Sequence, residues 1–379
     1  MRTRVPAYLR IYRFLRRTEW PLLILAAAIL AAGTAVQWSV EGLDQFPDGH
    51  LIRVAAAVAG CILAASVPSR LWHRHAFGLY FLCLIALFGV LFLGRATNNA
   101  RRWIDLFGGF KLQPSEFTKI ALILVLARWF GERPKPSRLS DLFFPGFLTF
   151  GPALLILAQP DLGTALSFVP LFFGLAYIAG TPWRVLRWCL LLPLFVAPIG
   201  WWTLKDYQRQ RVDIWLRQDQ LTQEEKSDAG YHLWHSKLAV GSGRLHGFGW
   251  GQGPENRLDR LPERHNDFVF PVVAEEFGFF GATGFLLLYA SLGFAALFGS
   301  LRYRDPFTRY AIAGVGLHFG THLVLNVGVT LGVWPTTGLP LPMVSWGGSS
   351  MMVSGLALGG ALAVGAGKEP VFLAHAFRD

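Results

Sequence analysis

The chain has 379 residues, 53% of them hydrophobic and only 16% charged, yet its net charge is +11, from 35 Lys and Arg against 24 Asp and Glu. So low a charged fraction, against roughly 25% in ordinary soluble domains, together with a mean hydropathy of +0.39, argues against a soluble enzyme and a disordered chain. It also makes the chain too apolar for nucleic acid to be the default partner of a basic protein, and leaves a polytopic membrane protein.

The N-terminus, MRTRVPAYLRIYRFLRR, is basic, and an apolar run from Pro21 to Val40 follows it. That run is too long for a signal-peptide core and lacks a convincing cleavage site, so it reads as a retained anchor helix. Trp20 and Trp38 bracket it as interfacial aromatics do. A spanning helix needs about 20 mostly apolar residues. Ten such spans are expected, at 20–40, 51–68, 76–94, 114–130, 142–159, 163–180, 184–203, 268–300, 309–331 and 349–367. Pro145, Pro152, Pro170, Pro193 and Pro198 interrupt the fifth to seventh and suggest local unwinding there. Cys61, Cys83 and Cys189 lie in apolar runs with no CxxC pair, which gives neither a disulfide framework nor a zinc knuckle.

Ten spans after a basic N-terminus predict both termini in the cytoplasm. The expected fold is therefore an all-α integral membrane protein of about ten transmembrane helices. Residues 1–367 form the membrane domain and 368–379 a short cytoplasmic tail. A large extracytoplasmic loop, 204–267, joins helices 7 and 8. That loop holds ten basic and ten acidic residues, so it is neutral overall. Its first part, Lys205 to Asp228, is expected as a surface helix, and its last part is glycine-rich, GSGRLHGFGWGQG. Of the other basic residues, Arg95, Arg101, Arg102 and Lys111 crowd one outer loop against the positive-inside trend. An anionic group on that face is one explanation.

Four segments carry candidate chemistry. In the first, Arg101, Arg102 and Lys111 surround Trp103. Guanidinium forks suit phosphate oxygens, and the alternative is an interfacial anchor with snorkelling cations. Glu116 and Lys119 then fall at i,i+3 on the fourth span, as a structural ion pair. The second segment, AQPDLGTA at 158–165, presents Asp161 to water at a tight turn; an ordinary Asx turn is the alternative. The third is LPERHNDFVFPVVAEEFG, 261–278. Asp267 sits where wet loop meets apolar wall, and desolvation there raises a carboxylate toward general-base values. A helix N-terminal acid favoured by the macrodipole reads equally well. Arg264 and His265 flank it, while Glu275 and Glu276 are expected to pair with basic groups in the bundle. In the fourth, Gly347, Gly348 and Ser349 form either an anion nest or part of a packed re-entrant loop. His318 and His322 lack the glutamate of a zinc motif and read as packed residues. GxxxG spacings at Gly316/Gly320 and Gly355/Gly359 suggest close helix packing, within the chain or with a partner.

Taken in order, RRWI…QPSE, QPDLGTA, the GSG…GQG run, LPERHNDF…AEE and PTTGLPLP…GGSS resemble the SEDS family (shape, elongation, division and sporulation; RodA and FtsW) over nearly the whole chain. The resemblance implies ten membrane helices in the bacterial cytoplasmic membrane and peptidoglycan glycosyltransferase activity on lipid II. It also implies a class B penicillin-binding protein as partner, through helices 8 and 9. The family's essential acid falls on Asp267, its essential tryptophan on Trp103 and its ion pair on Glu116 and Lys119. Asn266 stands where many members have Thr, and PERH with Arg264 leans toward the RodA branch.

The expected mechanism has Asp267 as base on an acceptor hydroxyl, with Arg101, Arg102, Lys111, Arg264 or a divalent cation (Mg or Mn) stabilising the pyrophosphate leaving group. No DxD motif is present, so a metal is not indicated by sequence. Trp103, His265, Asp161 and Ser349 complete the candidate substrate site. The alternatives are a lipid II flippase and a noncatalytic scaffold.

Overall fold

A computed structural model describes residues 19–93, 95–97, 100–105, 111–191, 202 and 206–367. Seven helices come first: α1 Trp20–Glu41, α2 Asp48–Ser66, α3 Ser69–Leu93, α4 Pro114–Gly131, α5 Phe143–Ala158, α6 Leu162–Ile178 and α7 at 183–191. Four short helices follow: α8 Asp206–Leu216, α9 Gln223–Ser227, α10 Tyr231–Ser242 and α11 Pro254–Arg257. The chain closes with α12 Val269–Ser300, α13 Pro306–Thr330 and α14 Gly348–Ala366. Helices α1–α6 and α12–α14 fall on nine of the expected spans and α7 on the start of the seventh; most of that seventh span and the 368–379 tail lie outside the described residues.

Among the described residues, seven helical stretches are long and apolar enough to cross a membrane, α5 reaching that length with the 3-10 turn Leu139–Leu142 that leads into it. α4 misses that standard because it carries Glu116, Lys119 and Arg128, and α6 because it is only 17 residues long. Both are nevertheless central. α4 packs on α3 and α13, and its Leu122, Val125 and Leu126 are fully buried. Close helix contacts use small residues, as the GxxxG spacings suggested, and they lie within the chain. A Cβ at Gly355 or Gly359 would strike the carbonyls of Ala57 and Cys61 on α2, and one at Gly316 would lie 2.7 Å from the Gly293 carbonyl of α12.

Two local features depart from expectation. α5 and α6 run through Pro152 and Pro170 without unwinding. The break comes in α12 instead, at Gly278, whose φ of 64° and ψ of −164° interrupt the helix. The glycine-rich run crosses this point. Phe279 and Phe280 donate their N–H groups to the carbonyls of Arg244 and Leu245, while Phe248 and Gly249 donate to those of Glu275 and Glu276. A buried backbone needs such partners, and Gly247 is required because a Cβ there would strike the Glu276 carbonyl. The second departure is a small antiparallel sheet in the order β1 Arg95–Thr97, β2 Ala100–Asp105, β3 Lys111–Leu112.

Candidate active site

Five segments converge at one end of the bundle around a cavity of about 670 Å³. β2 contributes Arg102 and Trp103, the α5–α6 turn contributes Pro160 and Asp161, and α8 contributes Gln208 and Arg211. The remaining walls are the 263–267 turn, with Glu263, Asn266 and Asp267, and the 335–340 loop.

Asp267 is placed by backbone hydrogen bonds. The N–H groups of Asn266, Asp267 and Phe268 all donate to the carbonyl of Glu263, closing a tight turn just before α12. Glu263 itself takes a positive φ of 48°. Gly338 faces the carboxylate so closely that a Cβ there would lie 3.2 Å from Asp267 Oδ2. Burial raises the Asp267 carboxyl from its ordinary 3.8 to about 7, and the negative charges of Glu263 and Asp161 add to the rise. The guanidinium groups of Arg211 and Arg102 oppose it. The cavity thus couples an acid that exchanges its proton near neutrality to two fixed cations.

Arg102 is anchored from behind. Its Nε donates to the Gln159 carbonyl at 3.0 Å, another of its N–H groups donates to the Pro160 carbonyl, and Nη1 lies 3.9 Å from Asp161 Oδ1. Asp161 is not presented to water. It is 2% exposed and caps α6, accepting from the Thr164 N–H, the Thr164 hydroxyl and Gln113 Nε2 at 2.9–3.1 Å. The Asx-turn alternative therefore describes its geometry, and its charge still reaches Asp267. Ser349 is buried too: its hydroxyl accepts from the Gln113 N–H at 3.0 Å and donates to the Lys111 carbonyl at 2.6 Å, tying β3 to α14. Lys111 has an exposed side chain, and the Arg101 side chain lies outside the described residues.

Arg264 and His265 face a different cavity, of about 410 Å³, with Glu41, Asp48 and Trp346. The Glu263 turn sends adjacent side chains to opposite sides, so the two flanking groups do not share Asp267's space. Arg264 bonds the Asn256 carbonyl and pairs with Asp259 at 3.1 Å. His265 packs on Trp346 at 4.9 Å between centroids; burial, helped by Arg264, lowers its imidazole below the usual range.

Glu116 and Lys119 form the expected pair at 2.6 Å, with Lys119 0% exposed. Lys119 Nζ also lies 2.9 Å from His322 Nε2. Among the described residues, Glu275 and Glu276 have no basic partner. Glu275 accepts the N–H groups of Glu255 and Asn256 at 2.8 and 3.2 Å, and Glu276 accepts from Ser39 and Asn256 Nδ2. Backbone and amide donors take the place of cations there. The residues sequence reasoning missed are Arg211, Gln208, Gln113 and Glu263. Arg211 lies in the expected surface helix, but nothing in its spacing shows that α8 folds back over the site, where Arg211 Nη1 donates to the Thr336 carbonyl at 3.1 Å.

Fold and cavity together define a multi-pass, all-α membrane protein with an arginine-flanked acid site at one end of its bundle. The family model for FtsW, RodA and SpoVE, described as cell cycle protein, matches residues 22–366, and the chain belongs to this family. It is 36% identical over 334 residues to the peptidoglycan glycosyltransferase MrdB of Escherichia coli, covering 88% of this chain and 89% of that one. It is 32% identical over 364 residues to the probable peptidoglycan glycosyltransferase FtsW of Trichlorobacter lovleyi, covering 91% and 92%. Among solved structures it resembles the rod shape determining protein RodA of Thermus thermophilus, with 30% identity and a TM-score of 0.68 over 92% of this chain and 96% of that one. It also resembles a chain of a peptidoglycan synthase complex that coordinates polymerization and crosslinking, with 32% identity and a TM-score of 0.75 over 92% and 97%.

Proposed function

We propose that this protein is a peptidoglycan glycosyltransferase of cell elongation, polymerising lipid II at the outer face of the bacterial cytoplasmic membrane. The observation that carries the reading is Asp267, an acid poised near neutrality, facing Arg102 and Arg211 in one cavity. The acceptor's sugar 4-hydroxyl gives its proton to Asp267 as its oxygen bonds to the donor's anomeric carbon. The bond from that carbon to the pyrophosphate oxygen breaks with inversion, and undecaprenyl pyrophosphate leaves with the electron pair. Arg102, half-buried and anchored from behind, and the more exposed Arg211 stabilise the departing charge, because cations already in place act where charge develops. Trp103 offers an indole face in the same wall. Asp161, Ser349, Gln113 and the Glu116–Lys119 pair hold that wall in shape, and Lys111 and Arg101 are assigned to the anionic substrate on their charge alone.

A class B penicillin-binding protein is the partner proposed for the apolar outer faces of α12 and α13, where Leu287, Phe294, Phe298 and Val324 are exposed. The likeness to a chain of the synthase complex supports this. Both termini are assigned to the cytoplasm on the charge asymmetry.

A flippase needs polar groups lining a path across the midplane; here the polar cavity sits at one end, and the Glu116–Lys119 pair is buried outside that cavity's lining. Detergent-purified protein given lipid II, with and without partner, should yield a ladder of glycan on a gel. Asp267→Asn should bind lipid II and yield no polymer, and normal polymer from that variant would end the assignment. EDTA in the same assay tests for Mg or Mn.

A further inference from the structure

One face of α13 carries His318, His322 and Asn326, spaced i, i+4 and i+8, so they form a single stripe. All three are buried. Two of them reach the cavity wall. His322 Nδ1 lies 3.0 Å from the Pro340 carbonyl and Nε2 lies 2.9 Å from Lys119 Nζ. A carbonyl only accepts, so Nδ1 must hold the proton, and Nε2 then accepts from the Lys119 ammonium. One tautomer satisfies both ends. Two residues of the same loop region are thereby linked to the helix pair, because Asn326 Nδ2 donates to the Leu339 carbonyl at 2.8 Å and to the Asp267 carbonyl at 2.9 Å. Both partners of that amide are acceptors, which fixes its orientation.

The Asp267 carboxylate faces Gly338 across the cavity wall. Its aim is set by its main chain and by the close approach of Gly338, which sits on the same loop that His322 and Asn326 tie down. The geometry points to His322 and Asn326 as positioning residues that connect the buried Glu116–Lys119 pair to the 335–341 loop and hold Asp267 at the cavity wall. This rests on Asp267 being the base proposed above. The chain of bonds runs Glu116, Lys119, His322, Pro340 and, one turn along α13, Asn326 to Asp267. Neither His322 nor Asn326 is among the residues that line the cavity.

Two isosteric substitutions separate the ends of the imidazole. Asn places an amide where Nδ1 was and keeps the donor to Pro340. Gln places one where Nε2 was and keeps the acceptor for Lys119. The assay is steady-state lipid II polymerisation by the purified full-length protein, with its unfolding temperature measured alongside. His322→Gln and Asn326→Ala should each lose at least about tenfold in kcat with KM within about threefold, since small misplacement of a reacting group is costly. His322→Asn should recover most of the turnover that His322→Gln loses. Asn326→Ala should also move the acid limb of the kcat profile downward by about one pH unit, because a freed Asp267 regains water. The charges facing Asp267 during that titration are Glu263 and Asp161, which raise it, and Arg102 and Arg211, which lower it.

Wild-type kcat in His322→Gln, or equal losses in His322→Asn and His322→Gln at unchanged unfolding temperature, would overturn the inference. So would an unmoved acid limb in a folded Asn326→Ala protein. Should Asn326→Ala fail to fold, the His322 pair decides alone. Failure of the underlying reading looks different: Asp267→Asn would then polymerise lipid II.

Discussion

Asp267 should make the protein less stable as pH rises, and removing its charge should abolish that loss. The folded-state carboxyl is raised from 3.8 to about 7, so between these values the native state binds more protons than the unfolded chain. Stability therefore falls with rising pH across the window and levels off above it. A rise of about three pH units at 1.36 kcal/mol each amounts to at most about 4 kcal/mol. Burial is the main cause, and Glu263 and Asp161 supply the rest against Arg211 and Arg102. Asp267→Asn keeps the shape and loses the ionisation. Its advantage over wild type should be absent near pH 4, grow through pH 5 and 6, and saturate above about 7, on the order of 4 kcal/mol. Unfolding in detergent by heat or denaturant, with both proteins measured at each pH, reads this directly. Parallel curves across the whole range would refute the reasoning, because they would mean that Asp267 ionises in the folded protein as it does in water. The expected pattern is that of an active site kept at a cost to the fold.

Two further outcomes test the framework around the site. Lys119→Met strands the Glu116 carboxylate, whose Oε2 already lacks a partner in the structure, and should cost about 3–5 kcal/mol. The double variant Glu116→Gln, Lys119→Met should regain part of that in the same unfolding measurement. Gly355→Val drives a side chain into the Ala57 carbonyl and should lower stability by about 1–3 kcal/mol or more, because backbone cannot step aside. Gly78→Val, which meets open space, is the control and should change the unfolding midpoint little.

The span pattern was legible because apolar runs of sufficient length have few other uses. Asp267 was legible as an acid at the junction of polar loop and apolar helix, and Glu116 with Lys119 as neighbours on one helix face. What failed to show depends on the path of the backbone. Arg264 and His265 are adjacent to the acid in sequence, yet the Glu263 turn puts them in another cavity with Trp346. Arg211 is far away in sequence, yet α8 brings it to the cavity. Prolines looked like helix breakers, but Pro152 and Pro170 are absorbed and the break falls at Gly278, where the glycine-rich run supplies hydrogen-bond partners. Glu275 and Glu276 invited cations as partners; backbone N–H groups and Asn256 serve instead, a solution with no signature in local spacing.

The central claim is that Asp267 takes the proton from the acceptor hydroxyl in this cavity. Its most direct test is the pH dependence of single-turnover lipid II coupling, in wild type and in Glu263→Gln. Wild-type rate should rise about tenfold per pH unit below about 7 and then level off, since only ionised Asp267 can accept the proton. Glu263→Gln removes a neighbouring negative charge that raises Asp267, so its midpoint should move to lower pH while the plateau remains. A rate independent of pH between 5 and 8, or a midpoint that Glu263→Gln leaves in place, would contradict the account.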